Sequence, residues 1–127
     1  MRAYFFTNMY LSSIQHGIQS LHCLQEINNK YTGNDSQSSA LAAWATEYKT
    51  AIVLNGGTSD QVSSILKLFQ NSANTFAWGY FREPSMENML TCVGIIVPDT
   101  MYTYDRNDYG TIENEIATLL RTKRFAK

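Results

Sequence analysis

The chain has 127 residues, of which 44% are hydrophobic and 17% are charged, and this suits one domain with a single core. The net charge of −1 excludes the strongly basic field that binds long nucleic acids without regard to sequence. We therefore expect a single domain over residues 1–127, with no long nucleic acid as a partner.

The first residues predict a strand. Residues 3–7, AYFFT, are aromatic and β-prone and show no helical period. The apolar run is too short to span a membrane, and no small-residue cleavage site follows it. We expect a cytoplasmic protein with no membrane partner.

A long helix follows, because apolar residues recur at steps of three and four. These residues form one stripe: Leu11, Ile14, Ile18, Leu21, Leu24 and Ile27. Ser12 or Ser13 can cap the start of the helix. We expect the stripe to face the core.

Histidine and cysteine spacing gives no sign of a metal site or a disulfide framework. His16 and His22 lie six residues apart on one helix, so they do not share the face that a metal pair would use. Each is interpreted as a surface or boundary residue. Cys23 and Cys92 are too few for a disulfide scaffold, and we expect two reduced thiols in the core.

The middle of the chain predicts a loop, a short helix, a strand and a further helix. Residues 31–39, YTGNDSQSS, are polar and predict a mobile loop. ALAAWATEY then predicts the short helix and TAIVLNGG the strand. Thr58 or Ser59 can cap the next helix, whose apolar face is Val62, Ile65, Leu66 and Phe69.

The turn NGGT between that strand and its helix has two interpretations. A strand-to-helix turn aims free N–H groups at an anion, as in phosphate-binding loops. Glycines also form ordinary βα turns, so the pattern alone is a weak signal.

The last third predicts two strands and a closing helix. Residues 75–83 and 90–97 form antiparallel neighbours across a turn at Pro84 and Ser85. The closing helix carries Ile112, Ile116, Leu119 and Leu120 on one face. The chain is thus predicted to be an α/β fold with a small mixed sheet of about four strands, in the order β-α-α-β-α-β-β-α.

The strand over residues 75–83 has aromatic side chains on both faces. One face carries Phe76, Trp78 and Tyr80, and the other carries Ala77, Gly79 and Phe81. A small core cannot bury every aromatic, so some are free to stack on a base, and Arg82 and Arg106 can meet phosphates. The alternative is a strand covered on both sides by helices or by a second subunit.

No sequence pattern indicates catalysis. There is no GxSxG, P-loop or paired-carboxylate pattern, and no nucleophile and base can be assembled from motifs. We expect a protein that is not an enzyme and has no cofactor.

Two stretches resemble peptidyl-tRNA hydrolases of the archaeal and eukaryotic type. FREPSMENMLTCVGII, after TAIVLNGG and a helix, resembles the strand-turn-strand that closes their fold. SSIQHGIQSLH resembles their amino-terminal helix, with Gln19 and His22 at the family's glutamine and histidine. Ser13, Ile14 and Gln15 stand where that family has its lysine-bearing GKG segment, so the resemblance implies the fold more than the esterase chemistry.

The whole chain is more similar to the phage anti-Thoeris proteins of the first described type. YFFTNMYLSSIQHGIQSLHC and YFREPSMENMLTCVGII carry this resemblance. Members of that family are homo-oligomers that sequester cyclic ADP-ribose isomers between subunits without cleaving them, and some hold cyclic oligonucleotides at separate sites. The resemblance implies a phage-encoded protein in the cytoplasm of the bacterial host.

The same resemblance implies a set of ligand contacts. Trp78 or Phe81 would stack on the adenine, Asn88 would make a polar contact, and Arg82 and Arg106 would bind the pyrophosphate. We also expect a homo-oligomer, a dimer or a multiple of dimers, with residues 78–89 near an interface. Two alternatives stay open, a hydrolase-like esterase and a structural oligomer without a ligand.

Overall fold

The computed structural model describes residues 1–103 and 109–127 and shows a four-stranded sheet with helices on both faces. Its strands and α-helices, in chain order, are β1 (Arg2–Asn8), α1 (Ser13–Lys30), α2 (Ser36–Ala43), β2 (Ala51–Gly57), α3 (Ser59–Gln70), β3 (Ala77–Glu83), β4 (Met89–Val97) and α4 (Thr111–Thr122). This order confirms the predicted α/β class and the sequence β-α-α-β-α-β-β-α.

The sheet is mixed, with strand order β2-β1-β4-β3. β1 pairs with β2 in parallel and with β4 in an antiparallel ladder, so β1 and β4 are central. In the part of the chain that the structure describes, β3 pairs only with β4, again antiparallel, across a short 3₁₀ turn over Pro84–Met86. The predicted antiparallel pairing is therefore confirmed, and β2 and β3 are the two edges.

Alternating side chains of β1 enter two separate cores. Tyr4 and Phe6 belong to the core under α3 and α4, whereas Ala3 and Phe5 belong to the core under α1 and α2. Burial on both faces explains why residues 3–7 read as a continuous apolar run without alternation.

Helix α3 is formed by signals that lie within its own sequence. Thr58 accepts from the backbone of Gln61, and the Gln61 side chain returns to the backbone of Thr58, which completes a capping box. The predicted face, Val62, Ile65, Leu66 and Phe69, is buried as expected. In the described part of the chain, no helix has the length and apolar character needed to cross a membrane.

The predicted core stripe of α1 is only partly correct, because Leu11 and Ile27 are buried whereas two of its other members are exposed. Ile14 is 72% exposed and Leu21 is 64% exposed. The face turned to the sheet is instead mostly polar and consists of His16, Gln19, Ser20, Cys23 and Ile27. Polar partners on the neighbouring strands explain this orientation, because a buried polar group is tolerated where it is hydrogen-bonded.

The predicted loop over residues 31–39 is too long. Helix α2 already begins at Ser36, because the Asp35 side chain accepts from the backbone N–H of Ser38 at 2.8 Å and caps the helix. The helix then continues as one π-helical turn over Trp44–Tyr48 and ends at Lys49, which has a left-handed φ of 56°. The predicted short helix is therefore longer at its start than its apolar residues suggest.

The two cysteines are free and buried, which confirms the prediction. Cys23 donates weakly to the carbonyl of Gly79 at 3.5 Å, and burial raises the pKa of its thiol. Both thiols pack as small apolar groups in the core under α1.

Candidate ligand-binding site

A cavity of about 380 Å³ lies along the exposed edge of the sheet at β3. Within residues 1–103 and 109–127, β3 has a neighbouring strand on one side only, so its other side forms an edge of the sheet. The cavity is lined by Glu26 and Lys30 of α1 together with Trp78, Gly79, Tyr80, Phe81 and Arg82 of β3.

The cavity wraps around the edge of β3, since Trp78 and Phe81 project from opposite faces of the strand. Phe81 packs toward α1, whereas Trp78 packs against the core under α3 and α4, as the predicted alternation requires. Gly79 lets α1 approach closely, because a Cβ there would lie 2.6 Å from Ile27 Cγ1. The two rings therefore lie on opposite sides of the sheet edge.

Trp78 is held by the last residues of α1. The Lys30 ammonium lies 3.3 Å from the centroid of the indole and donates to the Trp78 carbonyl at 3.4 Å. The backbone N–H of Trp78 donates to the Tyr31 hydroxyl at 3.2 Å. Burial lowers the pKa of Lys30 from its usual value. These contacts also cap the edge of β3 at Trp78.

Phe81 stacks on His22, with ring centroids 4.7 Å apart and an interplanar angle of 28°. His22 is exposed, which confirms its interpretation as a surface residue. One face of the Phe81 ring is thus already covered, and a base that stacks on this ring uses the other face.

A buried amide network fixes this region to α1. Gln19 is fully buried, and its Nε2 donates to Gln15 Oε1 at 3.0 Å and to Glu83 Oε1 at 3.1 Å. Its Oε1 accepts from Thr91 Oγ1 at 2.7 Å. The hydrogen bond from Gln19 lowers the pKa of Glu83, with smaller help from the Ser85 backbone and from His22.

The network sits where the ladder between β3 and β4 is irregular. Phe81 is opposite Cys92, but Arg82 is opposite Leu90, so Thr91 is an extra residue on β4. Thr91 also donates to the Phe81 carbonyl at 3.3 Å. The bulge and its partner Gln19 therefore position the end of the strand that carries Arg82.

The structure brings three of the predicted ligand residues together. Trp78, Phe81 and Arg82 line the same cavity, and Arg82 is exposed. Asn88 is exposed on the turn after β3, has a left-handed φ of 61° and does not line this cavity. Arg106 lies outside the described residues.

Sequence reasoning missed the contribution of α1 to this cavity. Glu26 and Lys30 are four residues apart, so they lie on one helix face, and this spacing was visible in the sequence. The sequence did not show which strand that face meets, because Ile14 and Leu21 of α1 were assigned to the core and are exposed instead.

His16 also departs from its predicted place, because only 6% of it is exposed. Its Nδ1 lies 2.6 Å from the hydroxyl of Thr7, which donates to the Leu54 carbonyl at 3.2 Å. Burial lowers the pKa of His16. Over residues 1–103 and 109–127, no group of three or more histidine, cysteine or acidic side chains is placed to hold a metal ion.

Comparison with models of known protein families found no match to the chain, and no curated protein matches it significantly.

Proposed function

We propose that the protein is a non-catalytic binder that sequesters a cyclic ADP-ribose-type immune signal at the β3 edge. The observation that carries this proposal is the lining of one cavity by Trp78, Phe81 and Arg82, with Lys30 beside them. Aromatic faces stack on adenine, and cations bind the pyrophosphate of such a ligand. Glu26 supplies an acceptor for ribose hydroxyls in the same cavity.

The biological setting of the proposal comes from the resemblance of residues 4–23 and 80–96 to phage anti-Thoeris proteins. In this setting the protein is encoded by a phage, acts in the cytoplasm of the bacterial host and blocks Thoeris defence by removing its signal. Cyclic oligonucleotides are a second proposed class of ligand. Asn88 and Arg106 are kept as proposed contacts of the cyclic ADP-ribose isomer.

We also propose a homo-oligomer, a dimer or a multiple of dimers. The exposed stripe of α1 supports association, because Ile14, Leu21 and Leu24 line an apolar groove of about 450 Å³ with Trp44 and Val53. The sequence instead placed an interface near residues 78–89. Light scattering on Leu21→Asp and Tyr80→Asp distinguishes the two faces, and a monomeric wild-type protein would contradict both.

Heat release of a bound ligand tests the central proposal. The protein is incubated with a cyclic ADP-ribose isomer, separated from free ligand and denatured by heat, and the released nucleotide is analysed by chromatography. We expect recovery of the intact ligand in stoichiometric amount. An excess of cleaved product over protein would show turnover and contradict the proposal.

Single substitutions test the position of the site. Trp78→Ala or Phe81→Ala is expected to weaken binding by roughly 1–3 kcal/mol, the range for stacking of a base on an aromatic ring. Arg82→Ala is expected to weaken binding most at low salt, if its charge meets the pyrophosphate. Tyr48→Ala is the matched control, because Tyr48 is an exposed aromatic outside the cavity. Folded variants at Trp78, Phe81 and Arg82 that all bind like the wild type would place the site elsewhere.

One contact favours the alternative, a peptidyl-tRNA hydrolase-like esterase. The hydroxyl of Thr7 beside the imidazole of His16 is the pairing by which enzymes activate a nucleophile. However, Thr7 is fully buried and its hydroxyl is bonded to the Leu54 carbonyl, so a substrate carbonyl does not reach it in this structure. Hydrolysis of a peptidyl-tRNA that is lost in His16→Ala would support the esterase.

A further inference from the structure

The carboxyl ends of β1 and β2 form a second candidate site, at a different edge of the sheet. Because these strands are parallel neighbours, their ends meet, and α1 and α3 both begin there. Ligands of α/β folds commonly bind outside the carboxyl ends of parallel strands. The turn NGGT, which the sequence left open between a phosphate loop and an ordinary connection, lies at this edge.

The two glycines of this turn have structural reasons of their own. Gly57 has a left-handed φ of 92°, and a Cβ at Gly56 would lie 3.1 Å from the Thr7 carbonyl oxygen. Both observations explain glycine without a ligand. A ligand at this turn would therefore be recognised by the side chains around it.

Cations from the last residues of the described chain surround the turn. Two adjoining cavities of about 320 and 340 Å³ share Met9, Asn55 and Arg124 in their lining. Lys123 lines the first cavity and Lys127 lines the second, and neither lining includes an acidic side chain. The two cavities together therefore form a cleft with three positive charges.

These cations are held in place by the backbone. The Asn55 N–H donates to the Arg124 carbonyl at 2.7 Å, and the Ala126 N–H donates to the Val53 carbonyl at 3.0 Å. The last residues therefore lie along the edge of β2 and keep their side chains beside the turn. Substituting the Arg124 side chain leaves both backbone bonds intact.

His16 adds a buried polar group to the same cleft. It lines the second cavity and is only 6% exposed. Because the Thr7 hydroxyl donates to the Leu54 carbonyl, its oxygen can accept from Nδ1–H of His16. The Nε2 atom has no hydrogen-bond partner in the part of the chain that the structure describes. When the imidazole is protonated, both ring nitrogens carry hydrogen, so an anion in the cleft would accept from Nε2–H, complete the chain of bonds and stabilise the imidazolium.

We infer that this cleft binds the phosphate or pyrophosphate group of a small phosphorylated ligand. Lys123, Arg124 and Lys127 supply the charge, and Nε2 of His16 donates a hydrogen bond. The cleft shares no lining residue with the cavity at β3, so this inference does not depend on the proposed function.

Calorimetry with inorganic phosphate and pyrophosphate at pH 7 and low salt tests the inference. The double variant Arg124→Gln/Lys127→Gln is expected to bind pyrophosphate about tenfold more weakly than the wild type, as expected on loss of a charge-assisted contact. Lys67→Gln/Arg121→Gln is the matched control, since it removes the same charge from exposed positions outside the cleft. Equal weakening in both double variants would reveal only a general charge effect and overturn the inference.

NMR of the His16 ring gives an independent readout. Sulfate has the charge and shape of a phosphate dianion and does not titrate near neutral pH, so it isolates the response of the imidazole. A bound anion is expected to raise the pKa of His16 and to shift its Nε2 resonance. Burial lowers this pKa, and the positive charges of Arg124 and Lys127 act in the same direction, so the anion works against both. Asp60, in the first turn of α3, does not line the cleft. Its charge is the same in both double variants, so it does not contribute to a difference between them. An Nε2 resonance whose chemical shift does not change at saturating sulfate would overturn the inference.

Discussion

Replacing Gln19 by leucine removes the buried amide that joins α1 to β4 and to the end of β3. Leucine has a similar volume, so the expected loss comes from hydrogen bonds more than from a cavity. Thr91 keeps its weaker bond to the Phe81 carbonyl at 3.3 Å, so its hydroxyl is not left unpaired. We expect Gln19→Leu to lower the free energy of unfolding by about 1–3 kcal/mol.

Urea unfolding followed by circular dichroism measures this loss, and acid pH gives it a second signature. The bond from Gln19 holds the pKa of Glu83 below its usual value, so the stability it adds is present above that usual pKa. It is lost as the pH falls through the lower pKa of the folded state. The difference between wild type and Gln19→Leu should therefore narrow in acid.

The control for this experiment lies on the same helix. Gln25 is exposed on α1, and Gln25→Leu should change stability by no more than about 0.5 kcal/mol. A Gln19→Leu protein as stable as the wild type, or a difference that does not change with pH, would refute the role assigned to the network.

Four further substitutions test the packing of the fold by thermal and urea unfolding. Phe69→Ala, at a fully buried ring 5.9 Å from that of Phe6, is expected to lose about 3–5 kcal/mol, and a smaller loss would mean that the core refills the space. Thr58→Ala breaks the capping box of α3 and is expected to lose about 1 kcal/mol, whereas an unchanged midpoint would contradict the cap. Gly79→Ala is expected to lower the free energy of unfolding by about 1–3 kcal/mol, because the added Cβ would collide with Ile27. A Cβ at Gly17 would meet nothing within 4 Å, so Gly17→Ala is expected to raise the free energy of unfolding by up to about 1 kcal/mol. Equal effects at the two glycines would contradict the close approach of α1 to β3.

The elements that the sequence predicted well are those whose signals are local. The capping residues of α3 and its apolar face lie within one helix, so Thr58 and Phe69 could be assigned without any knowledge of the rest of the fold. The two faces of β3 follow from alternation alone. The cavity residues Trp78, Phe81 and Arg82 lie within five positions of one strand. Their meeting in one cavity could therefore also be predicted from the sequence.

The orientation of α1 was not accessible from its own sequence, because its polar face is stabilised by residues outside the helix. His16 is paired with Thr7, and Gln19 is paired with Thr91, which lies 72 residues away. Periodicity assigns an apolar stripe to the core and cannot show that a polar stripe has partners there. Lys30 was missed as a neighbour of Trp78 for the same reason.

Helix α1 also determines whether the two candidate sites act independently. Its first turns carry His16 to the cleft at the ends of β1 and β2, and its last turn carries Lys30 to the cavity at β3. Fourteen residues separate them, which at 1.5 Å per residue is about 21 Å along the helix. That distance exceeds the Debye length of about 8 Å at physiological salt, so charges bound at one site are screened from the other. The structure shows α1 in one regular arrangement, and coupling between the two sites would require a second arrangement that they share. We therefore expect the effects of Lys30→Ala and Arg124→Gln on the binding free energy of any one ligand to add in the double variant. A measured departure from additivity beyond about 0.5 kcal/mol would mean that α1 moves as a unit between two positions.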